Sequence, residues 1–234
     1  MHEYAEIKAY KHTERGTELR VIIPKKELGD YIKRFSKNGI VQAELRLDDG
    51  RTISADQRKK IYATIKDISL HTGHLPEELK EIMKYYYIAD SGEDYFSLSN
   101  CSVTTARLFI NYLIEFAFQW DIPLADSGLD RTDDISNYLY MCIKYRKCFS
   151  TGKLADLHHC TGSKVGMGRN RHKISHSGKY FLPVSRKLHD EIHVIGDKSF
   201  FEKYHVYGIQ VDDETLKELG YKVDELENHE DQEG

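Results

Sequence analysis

Two short stretches carry residue types able to do chemistry together. Residues 154–160 read LADLHHC, with His158 and His159 adjacent, and residues 186–193 read RKLHDEIH, with His189 and His193 four apart. On a helix, a spacing of four puts two imidazoles on one face, within reach of a single cation. Neutral imidazole suits zinc, nickel and related transition ions. On a strand, neighbouring side chains point to opposite faces, so one of His158 and His159 can join that cation while the other addresses a substrate. Three protein ligands leave coordination positions open, which a catalytic metal needs and a structural one avoids. Taken singly, any of the four also reads as an ordinary surface or core histidine. Their grouping beside a loop that carries Arg169 and Arg171 is what favours a joint role.

The charge around these residues is segregated. The formal net charge is −4, yet residues 144–193 hold eleven Lys and Arg against three acids, Asp156, Asp190 and Glu191. From residue 212 to the end, ten acids face only Lys217 and Lys222. A basic segment of that kind suits a polyanion, and the acidic end reads as a solvated tail, residues 212–234. Hydrophobic content of 40% and charged content of 31% describe an ordinary soluble chain. No apolar run approaches the roughly 20 residues needed to span a bilayer. The start, MHEYAEIKAYKH, has neither the apolar core nor the cleavage site of a signal peptide, so a cytoplasmic protein with no membrane partner is expected. The four cysteines form no CxxC pair, which points to reduced thiols. Cys148 and Cys160, without further thiol partners, cannot complete a tetrahedral zinc site.

The elements that must position the histidines follow from periodicity. AEIKAYKH and TELRVIIP alternate as strands around the turn signal TERGT, then KKELGDYIKRF reads as a short helix and IVQAELRLDDGR as a strand. From Ser54 the period changes: a Ser cap opens a helix with Ile61, Ile65 and Ile68 on one face and Gly73 as its stop. LPEELKEIMKYYY begins with Pro in its first turn, and SVTTARLFINYLIEFAFQW is a long helix with an apolar face. PLADSGLDR, residues 123–131, is loop-like and marks a domain boundary near 125. TDDISNYLYMCIKYRKC restarts as an amphipathic helix with acids first and bases last. FSTGKLADLHHC then gives a turn and a strand, TGSKVGMGRNRHKISHSGK a Gly-rich basic loop, and YFLPVSRKLHDEIHVIG a strand turning into a helix.

The strand ADLHH, the loop and the helix LHDEIH resemble the ββα-metal fold of the HNH endonuclease superfamily, particularly its phage-encoded members, over roughly residues 148–204. The resemblance implies a metal-dependent DNA endonuclease with one divalent ion (Mg, Mn, Ni or Zn) held by His158, His189 and His193. It implies His159 as general base. Asp156, two residues before His158 and on the same strand face, would orient or supplement the ligands. Lys164, Arg169, Arg171, Lys173 and Arg186 are the expected phosphate contacts, although a Gly-rich basic loop is also a common surface loop. The chain departs from the HNH pattern at its middle Asn, where Lys179, Tyr180 and Phe181 stand. Asn170 lies too early to replace it; in the family that Asn props the base-bearing loop, so another group must do so here, with His176 a candidate. Thr151 and Ser185 occupy the places of paired cysteines in relatives, so no structural zinc is expected.

The segments ISADQRKKIYATIKDISLHTG, LPEELKEIMK and FSLSNCSVTTARLFINYLIEFAFQWDIPL resemble phage recombination mediators of the lambda Orf type, over residues 1–125. That resemblance implies binding of single-stranded DNA, contact with the host single-strand-binding protein and a homodimer. YYYIADSGEDYF offers aromatic rings for base stacking, or for a core or interface. The combined expectation is an α+β chain: an N-terminal mixed domain over 1–125, an HNH ββα-metal domain over 126–211, and the acidic tail. It would act on single-stranded, duplex or branched DNA in recombination or replication, in the host bacterial cytoplasm. The alternative is a non-enzymatic single-strand-binding mediator with a degenerate HNH module.

Overall fold

The computed structural model describes residues 5–23, 32, 50–163 and 174–224. The chain divides into two compact units, Met1–Leu47 and Asp48–Gly234. In the first, β1 (Glu6–Thr13) and β2 (Gly16–Ile22) pair antiparallel, with Tyr10 opposite Leu19 and a register shift between Ile7 and Ala9. Gly16 takes the positive φ (133°) that the turn at TERGT demands. The helix expected at KKELGDYIKRF and the strand expected at IVQAELRLDDGR lie outside the described residues, apart from Ile32, which is helical, and the closing Gly50 and Arg51.

The second unit begins with three helices: α1 (Ala55–Thr72), α2 (Pro76–Ser91) and α3 (Val103–Gln119). Ser54 opens α1 with a reciprocal cap. Its hydroxyl accepts from the Gln57 backbone N–H at 3.0 Å, and Gln57 Oε1 accepts from the Ser54 N–H at 3.1 Å. Gly73 ends the helix in the left-handed conformation, where a side chain would be strained. Ile61, Ile65 and Ile68 are fully buried, as their spacing required, against Phe109, Leu113 and Met83 from the other helices.

The segment at 123–131 is more than a loop. It contains a single helical turn, α4 (Gly128–Arg131), and Arg131 turns inward, bonding Asp67 Oδ2 of α1 at 3.1 Å and Asp126 Oδ2 at 2.8 Å. A buried guanidinium persists only when its donors are met in this way. A Cβ at Gly128 would lie 2.4 Å from the Tyr138 ring, so only glycine permits this approach. The expected boundary near 125 therefore falls inside the unit Asp48–Gly234.

Next come α5 (Ile135–Lys144), capped by Asp134, and a three-stranded antiparallel sheet in the order β3 (Asp156–His159), β4 (Tyr180–Val184), β5 (Ile209–Gln210). Between β4 and β5 lie α6 (Arg186–Ile195) and α7 (Asp197–Tyr204), and α8 (Asp213–Glu218) follows. Phe149, Phe181, Leu182, Val184, Phe200 and Leu216 are buried in the core around the sheet. β5, α7 and α8 had no counterpart in the sequence reading, because two to eight residues are too few to establish a period. Residues 212–224, expected as solvated tail, are packed: Leu216 and Val223 are buried, while residues 225–234 lie outside the described residues. The fold is α+β. All four cysteines are buried free thiols, and burial pushes the Cys101 and Cys142 thiols up, away from metal-binding thiolate. Among the described residues, no helix is long and apolar enough to cross a membrane.

Candidate metal centre

β3 pairs with β4 without interruption, His158 opposite Leu182 and His159 opposite Phe181. A regular strand sends neighbouring side chains to opposite faces, and the two histidines part accordingly. His158 turns towards α6. Its ring centroid lies 5.1 Å from that of His189 and 5.6 Å from that of His193, and the last two are 4.8 Å apart. One ring nitrogen from each of the three lies within 4.8 Å of the other two. The one-turn spacing on α6 supplies two donors and the strand supplies the third, buried one.

A carboxylate fixes the third donor. Asp197, at the start of α7, places Oδ1 3.2 Å from His158 Nε2. Its Oδ2 accepts from the Thr161 hydroxyl at 2.8 Å and from the Thr161 backbone N–H. Burial opposes ionisation of Asp197 most strongly, but the hydrogen bonds from Thr161 and from His158 help outweigh it, and its pKa is held below the usual range. An ionised carboxylate only accepts, so His158 Nε2 carries the hydrogen and Nδ1 keeps the lone pair that a cation needs. Burial first, and then the neighbouring His158 and His193, hold the His189 pKa below its ordinary value. A neutral ring is the form that ligates. The donor set therefore fits a divalent transition ion.

Asp156 lies on the rim of this group. Its Oδ2 is 3.2 Å from Arg186 Nε and 3.8 Å from His189 Nδ1, the latter too long for a hydrogen bond. Arg186 opens α6 with three quarters of its side chain exposed. The helix itself is braced by Glu191, which accepts from Lys203 Nζ at 2.6 Å and from Tyr204 OH at 3.0 Å on α7.

His159 enters a different environment. Its ring lies 4.9 Å from that of Phe181 and 5.2 Å from that of His176. His176 is buried, and the Lys222 carbonyl accepts from its backbone N–H at 2.8 Å and lies 3.3 Å from its Nδ1. Because a carbonyl only accepts, His176 Nδ1 carries the ring hydrogen. Lys164, Arg169, Arg171 and Lys173 lie outside the described residues.

The structure thus brings His158, His189, His193, Asp156 and Arg186 together on one side of β3, and His159 with His176 on the other. Sequence reasoning missed Asp197. Its only local signal is an acid just after Gly196 at a helix start, and 39 residues separate it from His158.

The family described as "Putative HNHc nuclease" matches residues 27–222. The chain belongs to the HNH nuclease family. No curated protein and no solved structure matches it. The HNH match extends well beyond the ββα segment on both sides. It takes in α1–α3 and, past residue 211, runs through α8 to Lys222. HNH nucleases generally use a divalent metal ion, and the His158, His189 and His193 trio is a donor set able to hold one.

Proposed function

We propose that the chain is a metal-dependent DNA endonuclease, with His158, His189 and His193 as metal ligands and His159 as general base. The convergence of three imidazoles from β3 and α6 carries this reading. A divalent ion bound there supplies charge stabilisation at the attacked phosphate and the leaving oxygen. His159, half-buried at the end of β3, takes the proton from the attacking water through a ring-nitrogen lone pair. Asp197 holds His158 in the ligating tautomer, and Asp156, paired with Arg186, lies at the rim beside His189. Arg186, with Lys164, Arg169, Arg171 and Lys173, neutralises flanking phosphates. His176 supports the base in place of the missing Asn. The resemblance of residues 1–125 to lambda Orf-type mediators supports a role in phage recombination or replication in the host cytoplasm. It also supports single-strand and single-strand-binding-protein contacts and a homodimer.

A second reading keeps DNA binding and drops catalysis. It is favoured by the placement of His159 among rings on the strand face away from the trio. Nicking of supercoiled plasmid by the full chain, stripped with chelator and then given Mn²⁺, separates the two. Metal-restored nicking is expected; DNA binding with no nicking under any divalent ion would establish the mediator instead.

A further inference from the structure

The acidic C-terminal stretch contains a packed segment that ends against the ring of His176. Asp212 caps α8, accepting from the Thr215 N–H at 2.8 Å, and Tyr140 OH on α5 donates to Asp212 Oδ2 at 3.1 Å. Leu216 is fully buried below it. Arg146 Nη2 donates to the Leu219 carbonyl at 2.6 Å, and the Tyr221 N–H donates back to Leu216. With the segment anchored at three points, its last residues reach the loop before β4. Tyr221 sets its ring 4.8 Å from His176 and 6.2 Å from Phe181. Lys222 takes both His176 bonds through its carbonyl, and the Asp224 N–H donates to Ser177 Oγ at 3.0 Å. The HNH match ends at Lys222, so this contact lies within the family's extent.

We infer that residues 212–224 form a strap whose Tyr221 and Lys222 position His176 and, through it, the ring of His159. Tyr221 is a positioning residue, 62 positions after the base it serves. The inference rests on the general-base reading of His159 for its effect on rate, but its structural content does not. A base displaced by a fraction of an ångström loses rate without losing substrate, because the cost falls on alignment in the transition state. Metal affinity is untouched, since the trio sits on the opposite face of β3.

The test uses the full chain as Tyr221→Ala and Tyr221→Phe, each with and without His159→Ala. In Tyr221→Ala, kcat for Mn²⁺-dependent plasmid nicking should fall roughly ten- to hundred-fold, with KM and Mn²⁺ affinity holding. Tyr221→Phe, which keeps the ring, should recover most of the loss. On top of His159→Ala, Tyr221→Ala should cost nothing further. Imidazole ¹⁵N–¹H spectra of the metal-free protein should show the His159 and His176 signals displaced in Tyr221→Ala and those of His189 and His193 in place. Unmoved His159 signals, or a full second loss in the double variant, overturn the strap. If His159→Ala alone nicks at the parental rate, the base reading fails, and the spectra still decide the positioning. Should Tyr221→Ala melt at the working temperature, Tyr221→Leu replaces it in both measurements.

Discussion

The two faces of β3 make opposite use of the same residue type. On one face His158 meets two more imidazoles, a carboxylate that sets its tautomer, and a rim formed by Asp156 and Arg186. On the other, His159 meets Phe181 and His176, with Tyr221 behind them. The first environment gathers three ring nitrogens, and burial with the neighbouring rings holds the His189 pKa below its ordinary value, which favours the neutral form a cation requires. The second packs a half-buried ring against Phe181 and His176. Adjacent identical residues thus part company through the strand's pleat alone, which is how the proposed metal ligand and the proposed base come from two consecutive positions.

The largest expected effect strikes the first face. His193→Ala removes one of three ligands, so Mn²⁺ affinity by calorimetry should drop by more than the roughly 10–100-fold that supporting groups typically cost, and nicking should vanish. Unchanged affinity would take His193 out of the site. His159→Ala should instead lose roughly 100-fold or more in nicking rate while Mn²⁺ affinity and DNA binding hold. A parallel fall in metal affinity would erase the distinction between the faces.

Smaller effects sharpen the comparison. Asp197→Asn leaves one acceptor oxygen for His158 and Thr161 to compete for and sets an amide N–H against the other, so Mn²⁺ affinity should weaken by roughly 10–100-fold with the fold intact. An affinity within two-fold of the parent, measured on the same titration, would mean that the tautomer is set by something else. Asp212→Ala loosens the strap over the ring face only, so stability should fall by about 1 kcal/mol while metal affinity holds. Its pH dependence has a definite sign. Burial works against the Asp212 carboxylate, but bonds from Thr215 and Tyr140 prevail and hold its folded pKa below the ordinary value. The contribution is therefore complete above the unfolded carboxylate pKa and fades as pH falls through the lower folded value. Urea melts of parent and variant should differ at neutral pH and converge in strong acid.

Much of this was legible beforehand. The i, i+4 pair on α6, the adjacent pair on β3, the cap at Ser54 and the isoleucine stripe of α1 are local patterns, and the structure realises each of them. The donor trio itself was named from spacing and resemblance. The 123–131 segment was harder to read, because its Gly, Ser and Asp residues describe a turn equally well whether Arg131 faces water or Asp67.

The sequence by itself determined which residues could ligate and the helix and strand that present them, since both follow from interactions within a few residues. Only the tertiary structure decided that Asp197 sets the His158 tautomer from 39 residues away, and that Lys222 holds His176 across 46. Those partners are chosen by packing. A carboxylate or carbonyl acts over about 3 Å, and no local period records which distant segment the folded core will bring that close.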